Sequence, residues 1–208
     1  PAAEASLIAY LWPLLIVLFS GLLPGERLRP GHVIGAVMAF AGAGLLIADG
    51  LGSAGTSALP GYALALLCAL TWSGYSILSR RMGTVPTAAV TVFCLMTAVL
   101  SLPAHLALET PAWPVGAAGW AATLALGLGP VGLAFFTWDV GVKRGDIQLL
   151  GTVSYAAPLL STLALVLAGS AAASIKLALA AAMIAAGAAL AAYAGRRAAR
   201  PAGDVTPG

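Results

Sequence analysis

"YLWPLL", Tyr10 to Leu15, and "YAAPLL", Tyr155 to Leu160, decide the fold when they are set side by side. They lie 145 residues apart. The same offset carries Pro13 onto Pro158, Met38 onto Met183 and Gly42 onto Gly187, with no gap across two whole apolar segments. Alanine-rich sequence matches itself easily, but Tyr, Pro, Met and Gly holding one register is harder to obtain by composition alone. The chain therefore reads as carrying an internal repeat.

The surroundings of the repeat are those of a membrane protein. Of 208 residues, 61% are hydrophobic and 8% charged, against about a quarter charged in a soluble domain. The mean hydropathy is +0.98. This excludes a large soluble domain, and the lack of any basic stripe argues against nucleic acid as a partner. Cys68 and Cys94 lie in apolar runs and read as buried thiols rather than a disulfide. His32, in a basic loop, and His105, near the end of a span, stand apart from carboxylates, so neither a metal site nor a cofactor is expected. No cleavable signal is visible, and the first residue is Pro rather than Met, so a start upstream is expected.

A spanning helix needs about 20 mostly apolar residues. Seven stretches qualify, at 5–24, 32–48, 61–80, 87–108, 115–140, 147–168 and 174–194, separated by turn-like breaks such as "PGERLRPG", "RRMGTVP" and "KRGD". Arg27 and Arg29 follow the first span, Arg80 and Arg81 the third, Lys143 and Arg144 the fifth, and Arg196, Arg197 and Arg200 the seventh. The intervening loops hold no Lys or Arg, and Lys176 near them can snorkel. This alternation is the positive-inside pattern and puts the C-terminus in the cytoplasm.

The two copies of the repeat begin five spans apart. Five is odd, so they run in opposite directions across the membrane, as in the inverted repeats of transporters. The second copy has three spans before its Tyr-x-x-Pro helix, and the first has none. Symmetry then calls for three further spans, about 85 residues, before Pro1. The expected fold is all-α and integral to the membrane: seven visible transmembrane helices of a ten-helix, 5+5 inverted-repeat transporter. The expected organisation is the last two helices of the first repeat at 1–50, an outer linker at 51–60, the second repeat at 61–195 and a mobile cytoplasmic tail at 196–208.

Two five-span inverted repeats, each closing with a Tyr-x-x-Pro helix and a Gly/Ala-rich helix, resemble the EamA family of the drug/metabolite transporter superfamily. "YLWPLLIVLFSGLLPGERL" is similar to the end of that family's first repeat, and "FFTWDVGVKRGDIQLLGTVSYAAPLLSTL" to the matching part of its second. The resemblance covers nearly the whole chain. It implies a carrier in a bacterial inner membrane that exports amino acids, aromatic and other apolar ones among them, by alternating access. Its motif residues are mostly architectural.

The residues themselves suggest a pathway. Trp113, Trp120, Tyr62, Tyr193 and Trp138 fall near span ends, where aromatic belts sit. Trp72, Trp12 and Tyr155 lie about 10–12 Å inside their spans. At that depth an indole N–H or a phenol needs a partner or a wet cavity; the plainer alternative is core packing with one interhelical hydrogen bond. Trp72, Tyr75, Ser76 and Ser79 share one helix face by their i, i+3, i+4, i+7 spacing. Ser6, Tyr10 and Pro13 form a second face, and Ser154, Tyr155, Pro158 and Ser161 a third. Tyr10, Trp12, Trp72, Tyr75, Ser76 and Tyr155 are thus the substrate-pathway candidates. Trp12 has no aromatic counterpart, since position 157 is Ala, which marks it for a substrate or gate contact.

Pro13, Pro130 and Pro158 each free a carbonyl one turn earlier, giving static kinks or hinges. "GLGPVG", Gly127 to Gly132, is the most breakable point. Asp139 precedes Lys143 by four residues and reads as its i, i+4 ion-pair partner. The alternative is a role with Trp138 at an inner gate, or in proton coupling. Glu26, Asp49, Glu109, Asp146 and Asp204 read as loop residues. "GAVMAFAGAG" and "AAAMIAAGAA" permit close backbone packing, within the bundle or at a dimer seam, so monomer and homodimer both remain open. A carrier of a small-molecule substrate in the bilayer is the leading function, with another metabolite as the alternative cargo. An intramembrane enzyme would need paired carboxylates, a Ser/His pair or a metal cluster, which one peripheral Asp and two scattered His do not supply.

Overall fold

The computed structural model describes residues 2–48, 58–169 and 173–199. Among them every regular element is helical: α1 (Ala2–Ala9), α2 (Trp12–Ser20), α3 (Pro30–Ile47), α4 (Leu59–Arg81), α5 (Ala89–Leu108), α6 (Gly116–Leu126), a π-helical segment (Gly127–Leu133), α7 (Ala134–Arg144), α8 (Ile147–Val153), α9 (Ala156–Leu167) and α10 (Ile175–Ala199). Asp49, Arg200, Asp204, most of the 51–60 linker and the tail from 200 on lie outside the described residues.

Six helical runs are long and apolar enough to cross a membrane: Pro30–Ile47, Leu59–Arg81, Ala89–Leu108, Gly116–Arg144, Ile147–Leu167 and Ile175–Arg196. The first expected span is shorter than its 5–24 estimate. It runs from Glu4 to Ser20 and turns at Tyr10–Leu11 between α1 and α2. The apolar stretch continues to Leu23, but the turn-forming residues from Gly21 to Gly25 end the helix at Ser20.

The chain divides into two compact units. The first joins the residues up to Leu78 with those from Asp146 onward. Its spine is α3 laid against α10 through small residues. A Cβ on Gly35 would come 2.5 Å from the carbonyl oxygen of Gly187, and one on Gly42 would come 3.1 Å from that of Ala180. Only glycine lets backbones approach so closely. The Gly/Ala stripes therefore serve packing inside the bundle. Under the 145-residue offset Gly42 corresponds to Gly187 and Ala180 to Gly35, so the two contacts join residue pairs related by that offset. Ala39, Ala43, Tyr155 and Ile184 form a buried cluster beside this seam, flanked by Tyr10, Leu14, Phe40, Ala156 and Leu159. α8 crosses α2 closely, with Gly151 against the carbonyl of Pro13 and the side chain of Val17.

The second unit, Ser79–Gly145, holds the end of α4, then α5, α6, the π segment and α7. Pro103 stands inside α5. Pro130 does not break its helix. It sits in seven residues of π-helix that join α6 to α7, a geometry that absorbs one extra residue per turn and often marks functional sites.

Several local expectations need correcting. Cys68 is exposed and Cys94 half-buried, although both are free thiols; an apolar run shows that a helix crosses lipid, not which face looks outward. His32 is not in a loop. It is buried in the first turn of α3, where its Nδ1 accepts the Arg29 N–H at 3.3 Å. His105 has a carboxylate partner, Glu109, one turn on at 2.5 Å. Asp146 lies between helices, as a loop residue should, and also caps α8, its carboxylate accepting the Leu149 N–H at 2.9 Å. Arg196 and Arg197 continue α10 rather than opening the tail.

Candidate functional site

The first unit brings together two groups of the expected residues. In one, the rings of Trp12 and Trp72 lie 6.3 Å apart at 87°, edge to face. Trp72 stacks on Tyr75 at 5.4 Å and 26°. Both are favourable aromatic geometries. All three side chains are half-buried. The helix spacing of α4 places Trp72 and Tyr75 one turn apart, and the turn at Tyr10–Leu11 starts α2 afresh with Trp12 facing them.

Hydroxyls accompany the rings. Ser73 Oγ lies 3.0 Å from the carbonyl oxygen of Trp12 and 2.6 Å from that of Ala69. Ser76 donates to the carbonyl of Trp72 at 2.9 Å. Ser73 was absent from the stripe read off the sequence. The signal was present: Ala69, Ser73 and Ser76 follow i, i+4, i+7, and they form the buried edge of α4. Ser79 belongs to the same buried edge.

The second group surrounds Tyr155. Its side chain is wholly buried, its ring lies 5.8 Å from that of Phe40, and its hydroxyl accepts the Leu14 N–H at 3.1 Å. Tyr10 packs on the same cluster. Tyr10 and Trp12 therefore serve different neighbours, Tyr10 the α3/α9/α10 cluster and Trp12 the edge of α4. Pro13 and Pro158 lie in the first turns of α2 and α9, where a missing N–H costs nothing. Each helical run breaks just before its proline, at Tyr10–Leu11 and at Ser154–Tyr155.

The second unit holds a polar knot. Asp139 is 2% exposed and accepts from Ser79 at 2.6 Å, Thr87 at 2.7 Å and Lys143 at 2.7 Å. Lys143 also donates to the carbonyl of Val85 at 2.9 Å. Arg80 donates to the carbonyls of Val142, Lys143 and Gly145 at 3.0, 3.0 and 2.8 Å, which caps the end of α7. The i, i+4 pair expected from spacing is present, and three elements close around it. Trp138, beside it in sequence, is half-buried. A cavity of ≈ 240 Å³ lies next to the knot, lined by Gly83 to Thr87, Val140, Lys143 and Arg144. Among the described residues no group of three or more His, Cys, Asp or Glu is placed to hold a metal ion.

Aromatic rings and neighbouring hydroxyls in the first unit suit a solute with an apolar ring and a compact polar end. Comparison with known proteins points the same way. The model of the EamA-like transporter family matches residues 1–48 and 59–193. The chain is 57% identical over 199 residues to a protein of Ancylobacter novellus named aromatic amino acid exporter YddG, covering 95% of this chain and 69% of that one. Proteins of the same name from Salmonella typhimurium and Escherichia coli are 30% and 28% identical, and the match spans 57% of each. A solved crystal structure with 57% identity superposes with a TM-score of 0.89, over 95% of this chain and 68% of the other.

Proposed function

This chain belongs to the EamA-like transporter family, and from that premise we propose that it exports aromatic and other apolar amino acids from the cytoplasm. The observation that carries the proposal is the Trp12–Trp72–Tyr75 stack. Three rings from two helices meet there, Trp12 edge to face on Trp72 and Trp72 stacked on Tyr75, with the hydroxyls of Ser73 and Ser76 on the adjoining edge. An aromatic side chain stacks on such walls at about 0.5–1.5 kcal/mol per ring pair beyond its burial.

The pathway runs past Tyr10, Trp12, Trp72, Tyr75, Ser76 and Tyr155. Alternating access comes from two inverted repeats, the first ending at about residue 50 and the second spanning 61–195, in a ten-helix carrier. The Gly42–Ala180 and Gly187–Gly35 contacts support that reading, as do turns displaced by only one residue under the same offset, Tyr10–Leu11 and Ser154–Tyr155. Pro13, Pro130 and Pro158 mark the points of bending. Trp138, Asp139 and Lys143 form a closure at the cytoplasmic end of an inner-membrane protein, and the alternation of basic residues supports a cytoplasmic C-terminus. The family makes the chain a transporter rather than an enzyme.

Trp72→Ala and Tyr10→Ala test the site. In proteoliposomes each is expected to cut aromatic amino-acid flux about tenfold, the equivalent of about 1.4 kcal/mol, with folded protein recovered in normal yield. Unchanged flux in both would return these residues to simple core packing.

A further inference from the structure

α2 starts without a polar cap. Its N-cap residue is Leu11, which makes no side-chain hydrogen bond to the helix. The first N–H groups of a helix have no partner within it. In α2 the Leu15 N–H is the first to turn back, onto the Leu11 carbonyl at 2.9 Å. The Leu14 N–H is left over, in the third position that a Ser, Thr or Asp cap normally serves. Here the Tyr155 hydroxyl serves it, at 3.1 Å and from 141 residues away. Tyr155 thus does the capping of α2 from the turn that opens α9.

The repeat shows that this arrangement is one-sided. Tyr10 and Leu14 correspond to Tyr155 and Leu159. A reciprocal bond would join the Leu159 N–H to the Tyr10 hydroxyl, but among the described residues that hydroxyl makes no hydrogen bond. The reason is a shift of one residue. α2 starts at Trp12, which corresponds to Ala157, whereas α9 starts at Ala156. Leu159 is the fourth residue of its helix, where the N–H points back to the carbonyl of the cap residue. Leu14 is the third residue of its own and has no such carbonyl. One extra residue of helix in one copy removes the orphan N–H that the other copy exposes.

We infer that Tyr155 and Tyr10 exchange capping roles as the carrier changes its facing. In the opposite conformation α9 gives up its first residue, and the freed Leu159 N–H donates to the Tyr10 hydroxyl. α2 gains Leu11, its Leu14 N–H turns back onto the Tyr10 carbonyl, and Tyr155 is released. The inference rests on the inverted-repeat reading, in which each copy adopts in one state the shape its partner has in the other. The exchange loses one buried hydrogen bond and gains another, which keeps two states close in energy, as a carrier requires. Little movement is needed, because Tyr10, Leu14 and Leu159 all flank the same buried cluster.

Amide hydrogen exchange on the full chain, with Tyr155→Phe and Tyr10→Phe and with aromatic amino-acid flux measured in parallel, tests this. Tyr155→Phe is expected to speed exchange at Leu14 about fivefold. Tyr10→Phe, which removes no hydrogen bond in the present structure, is expected to speed exchange at the start of α9 while substrate is present, and to leave Leu14 no faster. Both variants slow flux. A Tyr10→Phe protein with unchanged α9 exchange, with and without substrate, would overturn the exchange of roles and leave Tyr155 a fixed cap. A Leu14 amide indifferent to Tyr155→Phe would overturn the cap itself. Reciprocal exchange effects in a chain that moves no aromatic amino acid would instead sink the substrate proposal and leave the tyrosine exchange standing.

Discussion

Asp139 and Lys143 show how a pair of residues gains its meaning from context. Their side chains are 3% and 9% exposed and 2.7 Å apart. A buried ion pair with all its hydrogen bonds made adds little net stability, but removing one partner strands the other charge. Lys143→Met is therefore expected to cost about 3–5 kcal/mol, seen as a lowered unfolding temperature in detergent. The double change Asp139→Leu with Lys143→Met is expected to recover most of that loss. If the recovered double variant also transports normally, the pair is a joint; if its flux collapses, the pair acts in gating. The pair was legible in the sequence because both residues lie on one helix four positions apart. Ser79 and Thr87 were not, since they reach Asp139 from other elements, and spacing within one helix carries no information about them. The same holds for Tyr155: its depth was readable, its partner was not.

At the scale of the helix, composition fixes what crosses the membrane, and local geometry fixes where each helix breaks. The expected spans agree with the six long helical runs to within a few residues, because no other conformation satisfies the backbone of such apolar stretches in lipid. The faces of the helices were harder to read. Ala-rich and Leu-rich surfaces look alike in sequence, so the outward aspect of Cys68 could not be told from an inward one. Two predictions belong here. Gly35→Ala places a Cβ 2.5 Å from a backbone oxygen of α10, which cannot move aside as a side chain would; α3 and α10 must separate, with a loss of about 1–3 kcal/mol. Thermal unfolding followed by tryptophan fluorescence checks it. Pro130→Ala restores an N–H to the π segment, Gly127–Leu133, and is expected to favour an uninterrupted α-helix. If that segment is a hinge, turnover falls while stability rises slightly; equal turnover would make the segment static.

Across the whole molecule, the one-register match of Tyr, Pro, Met and Gly at 145 residues was the most informative feature of the sequence, and the close contacts Gly35–Gly187 and Gly42–Ala180 involve residue pairs related by the same offset. The charge pattern supports the proposed orientation, and the aromatic cluster supports the proposed chemistry of the cargo. These meet in one claim, that the chain carries aromatic amino acids outward. Efflux from proteoliposomes containing the full chain tests it most directly. Vesicles loaded with labelled tryptophan, phenylalanine, aspartate or lysine are diluted into substrate-free buffer, alongside protein-free vesicles. The expected result is rapid loss of tryptophan and phenylalanine, with aspartate and lysine retained as in the protein-free control. Retention of both aromatic amino acids, while a different metabolite escapes through the same protein, would contradict it.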